Sequence, residues 1–231
     1  MDMIFKNEAA LIIPAGGRGS RMESSIPKQL IQYRGKPLIY YTLNVFYNLF
    51  PGLYTVIAMI PDYIESFQAS LYEWGWDDHI SLVEGGATRQ DSVWAAMQAI
   101  PAEYRQIWIH DAVRPFITVD IIERITIALE KHSAVIPVIP VKDTIKMVEH
   151  DFVETTHPRA RLVAVQTPQA FEIEMIRRAY RFIRDRGIQV TDDAEAVEKF
   201  GAPVFTVPGD ERNIKITTPN DLDKLKALDY V

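Results

Sequence analysis

Short apolar runs rich in β-branched residues alternate along the chain with longer stretches whose apolar positions recur at helical spacing. The runs at 10–13, 55–59, 80–83, 107–109 and 134–138 are nearly continuous in apolar character, the pattern of parallel strands covered on both sides. The stretches 38–46, 64–74, 92–100 and 121–129 predict helices; in the last, Ile121, Ile122, Ile125, Ala128 and Leu129 share one face. A final helix is signalled by Thr218 as N-cap, Pro219 at the first helical position and Asp221 three residues after the cap, ahead of Leu222, Leu225 and Leu228. Alternation of this kind predicts an α/β fold: a Rossmann-like, mostly parallel sheet with helices on both faces.

The alternation breaks over about 142–165, where 144–148 and 152–156 flank the polar Glu149-His150-Asp151. This predicts an antiparallel β-hairpin that protrudes as an arm. A hairpin buries little by itself, so the arm must lean on a partner subunit or close over a site. A chain of 231 residues lies within the range of one α/β domain, and 1–231 is read as a single domain carrying that arm.

The net charge of −6 argues against general attraction to nucleic acid or to an anionic membrane. Any anion site must be local. With no cysteine in the sequence, thiolate metal sites and a cysteine nucleophile are excluded. No apolar run approaches the length needed to span a bilayer and no export signal is visible, so a cytoplasmic location is expected.

The first strand runs into Gly16-Gly17-Arg18-Gly19-Ser20-Arg21-Met22. Closely spaced glycines let backbone N–H groups approach a phosphate chain and converge on one anion. The Walker A spelling is absent. A dinucleotide fingerprint would need glycine where Met22 stands, and an acid closing the second strand. What remains is a loop that, with Pro27-Lys28-Gln29, brings Arg18, Arg21 and Lys28 to the end of the first strand. Two readings stand: a triphosphate site, or a turn with solvated cations.

Together with 85–93 (GGATRQDSV), 110–116 (HDAVRPF), 166–169 (QTPQ), 191–194 (TDDA) and 213–217 (NIKIT), the loop resembles the 2-C-methyl-D-erythritol 4-phosphate cytidylyltransferases of the non-mevalonate isoprenoid pathway, over essentially the whole chain. The resemblance implies a cytidylyl transfer from CTP to a phosphorylated sugar alcohol, releasing pyrophosphate, with Mg²⁺ or another divalent cation. It assigns Arg21 and Lys28 to the α-phosphate and its transition state, and Ala15, Gly16, Gly17, Gly86, Ala87 and Ser92 to the nucleotide. The family often has Asp where Ala87 stands, so only its main chain carries over. Arg114, Arg159, Thr191 and Lys215 match positions that hold the acceptor phosphate. Arg159 sits on the arm, which in the family embraces a second subunit, so the resemblance also implies a homodimer with composite sites. Arg18 faces either solvent or the triphosphate tail.

Asp111 follows a predicted strand and so lies at a carboxyl end, where open α/β sheets bind ligands; it is the expected metal ligand, one carboxylate being enough for a hard cation that also takes phosphate oxygens. His110 is expected to be packed or hydrogen-bonded, and the other histidines show no metal spacing. The attacking phosphate monoester is already largely anionic near neutral pH, its second pKa being about 6, so no general base is required. Two alternatives remain: a ribitol-5-phosphate cytidylyltransferase of the same fold, which shares the glycine loop and Asn213-Ile214-Lys215, and a catalytically silent nucleotide-binding regulator.

Overall fold

The structure, a computed structural model, describes residues 8–17 and 26–230. Its first strand, β1 (Ala9–Ala15), shows why the runs lack a polar face. Ala9, Leu11, Ile13 and Ala15 enter one apolar cluster, while Ala10 and Ile12 enter another on the opposite side. A strand whose alternate side chains are both buried belongs in the middle of a covered sheet.

The chain continues through β2 (Gln32–Tyr33), β3 (Lys36–Pro37), α1 (Leu38–Leu49), β4 (Thr55–Met59), α2 (Ile64–Trp74), β5 (Ile80–Glu84), α3 (Arg89–Gln98), β6 (Gln106–Ile109), α4 (Val119–Leu129) and β7 (Ala134–Pro140). Then come β8 (Lys146–Glu149), β9 (Phe152–Thr156), β10 (Val163–Val165), β11 (Gln169–Glu172), α5 (Ile173–Asp185), α6 (Asp193–Phe200) and β12 (Phe205–Pro208). The chain ends in a 3₁₀ helix, Pro219–Tyr230. Among the described residues the main sheet runs β10-β7-β11-β6-β1-β4-β5, with β12 also paired to β7. Helices α1, α2 and α4 cover one face and α3, α5 and α6 the other.

The five strands expected from the sequence all form. β6, β1, β4 and β5 pair in parallel. The picture is corrected at β7, which runs in the same direction but is separated from β6 by β11, antiparallel to both. Helix α3 starts three residues before the expected 92, because the Thr88 hydroxyl accepts from the Asp91 N–H and caps it. The closing helix has the expected start, where Asp221 accepts from the Thr217 and Thr218 N–H groups; it winds as 3₁₀.

The arm is present. β8 and β9 pair antiparallel around His150 and Asp151, whose φ values of 47° and 68° are the left-handed pair that a two-residue hairpin turn requires. Every residue of both strands is exposed, including Met147, Val148, Phe152 and Val153. No helix is long and apolar enough to cross a membrane, among the described residues.

Candidate active site

The carboxyl ends of β1 and β6 open onto a cavity of about 130 Å³ lined in part by Ala15, Gly16, Gly17, Lys28, Gln29, Arg89, Ser92, Asp111 and Lys215. Its upper wall is the glycine turn. A Cβ on Gly16 would stand 2.6 Å from Ser92 Oγ and 3.1 Å from Gly85 Cα, so glycine is required for the two loops to pack. Gln29, almost fully buried, donates to the Ala15 and Gly17 carbonyls at 2.5 and 3.0 Å and holds the turn from behind.

A second loop, 85–88, leads into α3. The Ser92 hydroxyl accepts from the Gly86 N–H at 3.1 Å and donates to the Thr88 carbonyl at 2.9 Å, folding the loop onto the helix start. Gly86 is confined as well, since a Cβ there would meet Asp91 Cβ at 2.2 Å. Ser92 lines the cavity; Gly86 and Ala87 do not.

The floor is Asp111, two residues beyond the end of β6. Its carboxylate faces three cations: Lys215 Nζ at 2.9 Å and Arg114 Nε at 3.0 Å on Oδ2, and Arg89 Nε at 3.7 Å from Oδ1. Burial alone would raise its pKa, but Arg89, Lys215 and Arg114 outweigh it and hold the carboxyl far below the usual carboxylate range. Asp111 is therefore ionised near neutral pH. Its backbone N–H donates to Thr167 Oγ1 at 3.1 Å.

His110 is fully buried, with Nε2 at 3.0 Å from the Arg114 carbonyl, Nδ1 at 3.1 Å from Thr167 Oγ1, and Phe46 edge-on. Burial lowers its pKa to about 4, so it is neutral and packed, as expected. Two buried glutamines attach the C-terminal segments to this floor. Gln166 donates to the Asp210 and Asn213 carbonyls, which carries Lys215 inward. Gln169 accepts from the Asp193 and Ala194 N–H groups and donates to Asp192, which seats α6.

Of the residues expected from the sequence, the structure brings together Ala15, Gly16, Gly17, Lys28, Ser92, Asp111 and Lys215 around one cavity, with Arg114 tied to its floor. Gly86 and Ala87 are outside its lining, and Thr191 and Arg159 are engaged elsewhere. Thr191 gives its N–H and hydroxyl to Glu195 at the start of α6. Arg159 follows the arm and donates to the Lys142 carbonyl at 2.7 Å. Arg18 and Arg21 lie outside the described residues. Arg89 lies within the 85–93 motif, and its ion pairs to Asp111 and to buried Asp193, 104 residues away, come only from the fold.

Lys28, Arg89 and Lys215 in the cavity lining, with Arg114 on its carboxylate, concentrate positive charge locally in a chain of net negative charge. Among the described residues no group of three or more His, Asp or Glu side chains could hold a metal unaided. Asp111, the carboxylate among the described residues lining the cavity, suits a hard cation that draws its other ligands from phosphate oxygens.

A glycine turn at the carboxyl edge of a parallel sheet, facing that cation cluster, defines an α/β nucleotidyltransferase. The family model for 2-C-methyl-D-erythritol 4-phosphate cytidylyltransferase matches residues 9–228. The chain belongs to this family. It is 41% identical over 217 residues to the 2-C-methyl-D-erythritol 4-phosphate cytidylyltransferase of Geobacillus kaustophilus, covering 94% of this chain and 95% of the relative. It is 40% identical to a bifunctional enzyme IspD/IspF of Solidesulfovibrio magneticus; that match covers 93% of this chain but only 55% of the longer relative. Among solved structures, the Francisella tularensis enzyme superposes with a TM-score of 0.81 at 30% identity, covering 95% of this chain and 99% of that one. The Thermus thermophilus enzyme gives 0.78 at 31%, covering 97% and 100%.

Proposed function

We propose that the chain transfers the cytidylyl group of CTP to 2-C-methyl-D-erythritol 4-phosphate, forming 4-CDP-2-C-methyl-D-erythritol and pyrophosphate for isoprenoid precursor synthesis. The observation that carries this reading is the cavity in which the Ala15–Gly17 turn faces Lys28, Arg89 and Lys215. An oxygen of the acceptor phosphate attacks the α-phosphorus of CTP, and the bond to the bridging oxygen breaks as pyrophosphate leaves. The attacking oxygen is already anionic, so neutral His110 need not act as a base. The chain's task is to bring two anions together and stabilise the growing charge.

Lys28, with Arg21 by family resemblance, would meet the α-phosphate. Ala15, Gly16 and Gly17 would supply backbone contacts to the triphosphate, and Gly86 and Ala87 main-chain contacts to cytidine through the loop that Ser92 shapes. Arg114 and Lys215 now neutralise Asp111; they are the cations that would take up the acceptor phosphate, and Thr191, whose hydroxyl now bonds Glu195, would join them by family resemblance alone. Asp111 would hold Mg²⁺ or a similar divalent cation, which when bound supplies charge neutralisation to the triphosphate.

The remaining acceptor contact, Arg159, is proposed to come from a second copy through the arm. Support comes from the apolar side chains Met147, Val148, Phe152 and Val153 exposed on β8 and β9, too many for a hairpin meant to stay in water. The place of action proposed is the cytoplasm. The test is pyrophosphate release with CTP, UTP and ATP, each crossed with methylerythritol 4-phosphate and ribitol 5-phosphate. Release with CTP and methylerythritol 4-phosphate alone is expected; a preference for ribitol 5-phosphate, or binding of CTP without release, would overturn the reading.

A further inference from the structure

Arg89, in the cavity wall, is held by a carboxylate with an unusual setting. Asp193 is fully buried, and both its oxygens are engaged: Oδ1 accepts from the Tyr180 hydroxyl at 2.5 Å and Oδ2 from Arg89 Nη2 at 2.7 Å. Tyr180 is fully buried in α5, its ring stacked on Trp94 of α3. Gln169 fixes the Asp193 backbone. Arg89 opens α3, keeps about a third of its side chain exposed in the cavity wall, and turns Nε toward Asp111.

A buried carboxylate paired to one guanidinium contributes little to stability, because desolvating the two ions costs several kcal/mol and apolar residues of similar volume pack at least as well. Three helices here already share a large apolar cluster. What the pair does supply is direction. With one oxygen fixed by a hydroxyl and the other by Nη2, the guanidinium plane has little freedom, and its remaining edge is aimed at the cavity floor.

We infer that Tyr180 and Asp193 are positioning residues for the transfer reaction, acting through Arg89, whose guanidinium they hold against Asp111 at the place where the phosphate chain is neutralised. The inference rests on the cytidylyltransferase reading of the cavity. Neither residue touches the cavity; their effect is to keep one cation from swinging away when the triphosphate enters or pyrophosphate leaves.

The test is a double-mutant cycle in the full-length protein, with thermal melts beside kinetics measured well below each melting point. Tyr180→Phe deletes one hydroxyl and keeps the ring. It should lower kcat about five-fold or more, with the KM for each substrate within about two-fold. Arg89→Lys keeps the charge but loses the planar fork; it should lower kcat further, and adding Tyr180→Phe to it should cost no more than another two-fold. A Tyr180→Phe variant that melts earlier yet turns over like the wild type would overturn the inference, as would equal losses from Tyr180→Phe in both backgrounds. If Arg89→Lys does not fold, Arg89→Gln takes its place in the cycle. Turnover by the wild type tests the underlying reading separately, since the inference is judged only on ratios between variants.

Discussion

Replacing Asp111 by Asn removes one charge and little else, and the structure sets the size of the consequence. The carboxylate is about one-tenth exposed, and its partners Arg114, Arg89 and Lys215 are 12%, 31% and 33% exposed. Leaving a fully buried ion unpaired costs about 3–5 kcal/mol. Here the stranded cations retain partial contact with water and the amide oxygen can still accept from Arg114, so about 2 kcal/mol is expected at pH 7. For a chain of this size that lowers Tm by roughly 4–8 °C.

The sign of the pH dependence follows from the depressed carboxyl. Because the Asp111 pKa lies below its ordinary value in the folded state, the contribution of its charge is complete above the unfolded pKa near 4 and is lost as pH falls. The gap between wild type and Asp111→Asn should therefore be flat from pH 7 to 5 and narrow by about 1 kcal/mol by pH 3. Acid sensitivity beginning higher, from pH 6.5 downward, belongs to His110, whose pKa burial lowers to about 4. Urea unfolding at pH 7, 5 and 3 measures this. A gap that stays constant to pH 3, or a variant as stable as the wild type at pH 7, would refute the view of Asp111 as the shared counter-ion.

Gly16→Ala drives a methyl into Ser92 Oγ and Gly85; it should displace the second loop and weaken CTP binding at least ten-fold, which calorimetric titration would detect, while undiminished affinity would show that the loops need not touch. Lys28→Ala should lower kcat by about 100-fold or more while changing the CTP dissociation constant only a few-fold, as loss of a mainly transition-state contact requires; equal losses in both would assign it to ground-state binding. Arg159→Ala should raise the KM for the phosphorylated alcohol with little effect on that for CTP, and light scattering on the wild type should give a dimer; a monomer at assay concentration would exclude the shared site.

The helical and strand periods carried most of the sheet because β1, β4 and β6 are buried on both faces and leave no ambiguity of register. The stretch after the arm was harder to read. β11 begins at Gln169, a polar residue tolerated in the sheet only because its amide meets Asp192, Asp193 and Ala194, partners more than twenty residues away. α5 carries Ile173, Ile176, Ala179, Tyr180 and Ile183 on its buried face, yet its arginines and the preceding interruption obscured where the α/β alternation resumed. In the site, the loops and Asp111 were legible because they directly follow strands. Arg89 and Asp193 were not, because an ion pair spanning 104 positions arises only where the fold brings the starts of α3 and α6 together, not from any local spacing.

If this cavity joins a cytidylyl group to a phosphorylated alcohol, the phosphorus atoms of CTP must end in two separate products. The most direct test is phosphorus NMR of the purified chain with CTP, Mg²⁺ and 2-C-methyl-D-erythritol 4-phosphate. The expected result is loss of the three CTP signals and the appearance of free pyrophosphate together with two mutually coupled phosphorus resonances of a new diphosphate ester. CMP and pyrophosphate without the coupled pair, or unchanged CTP, would contradict it.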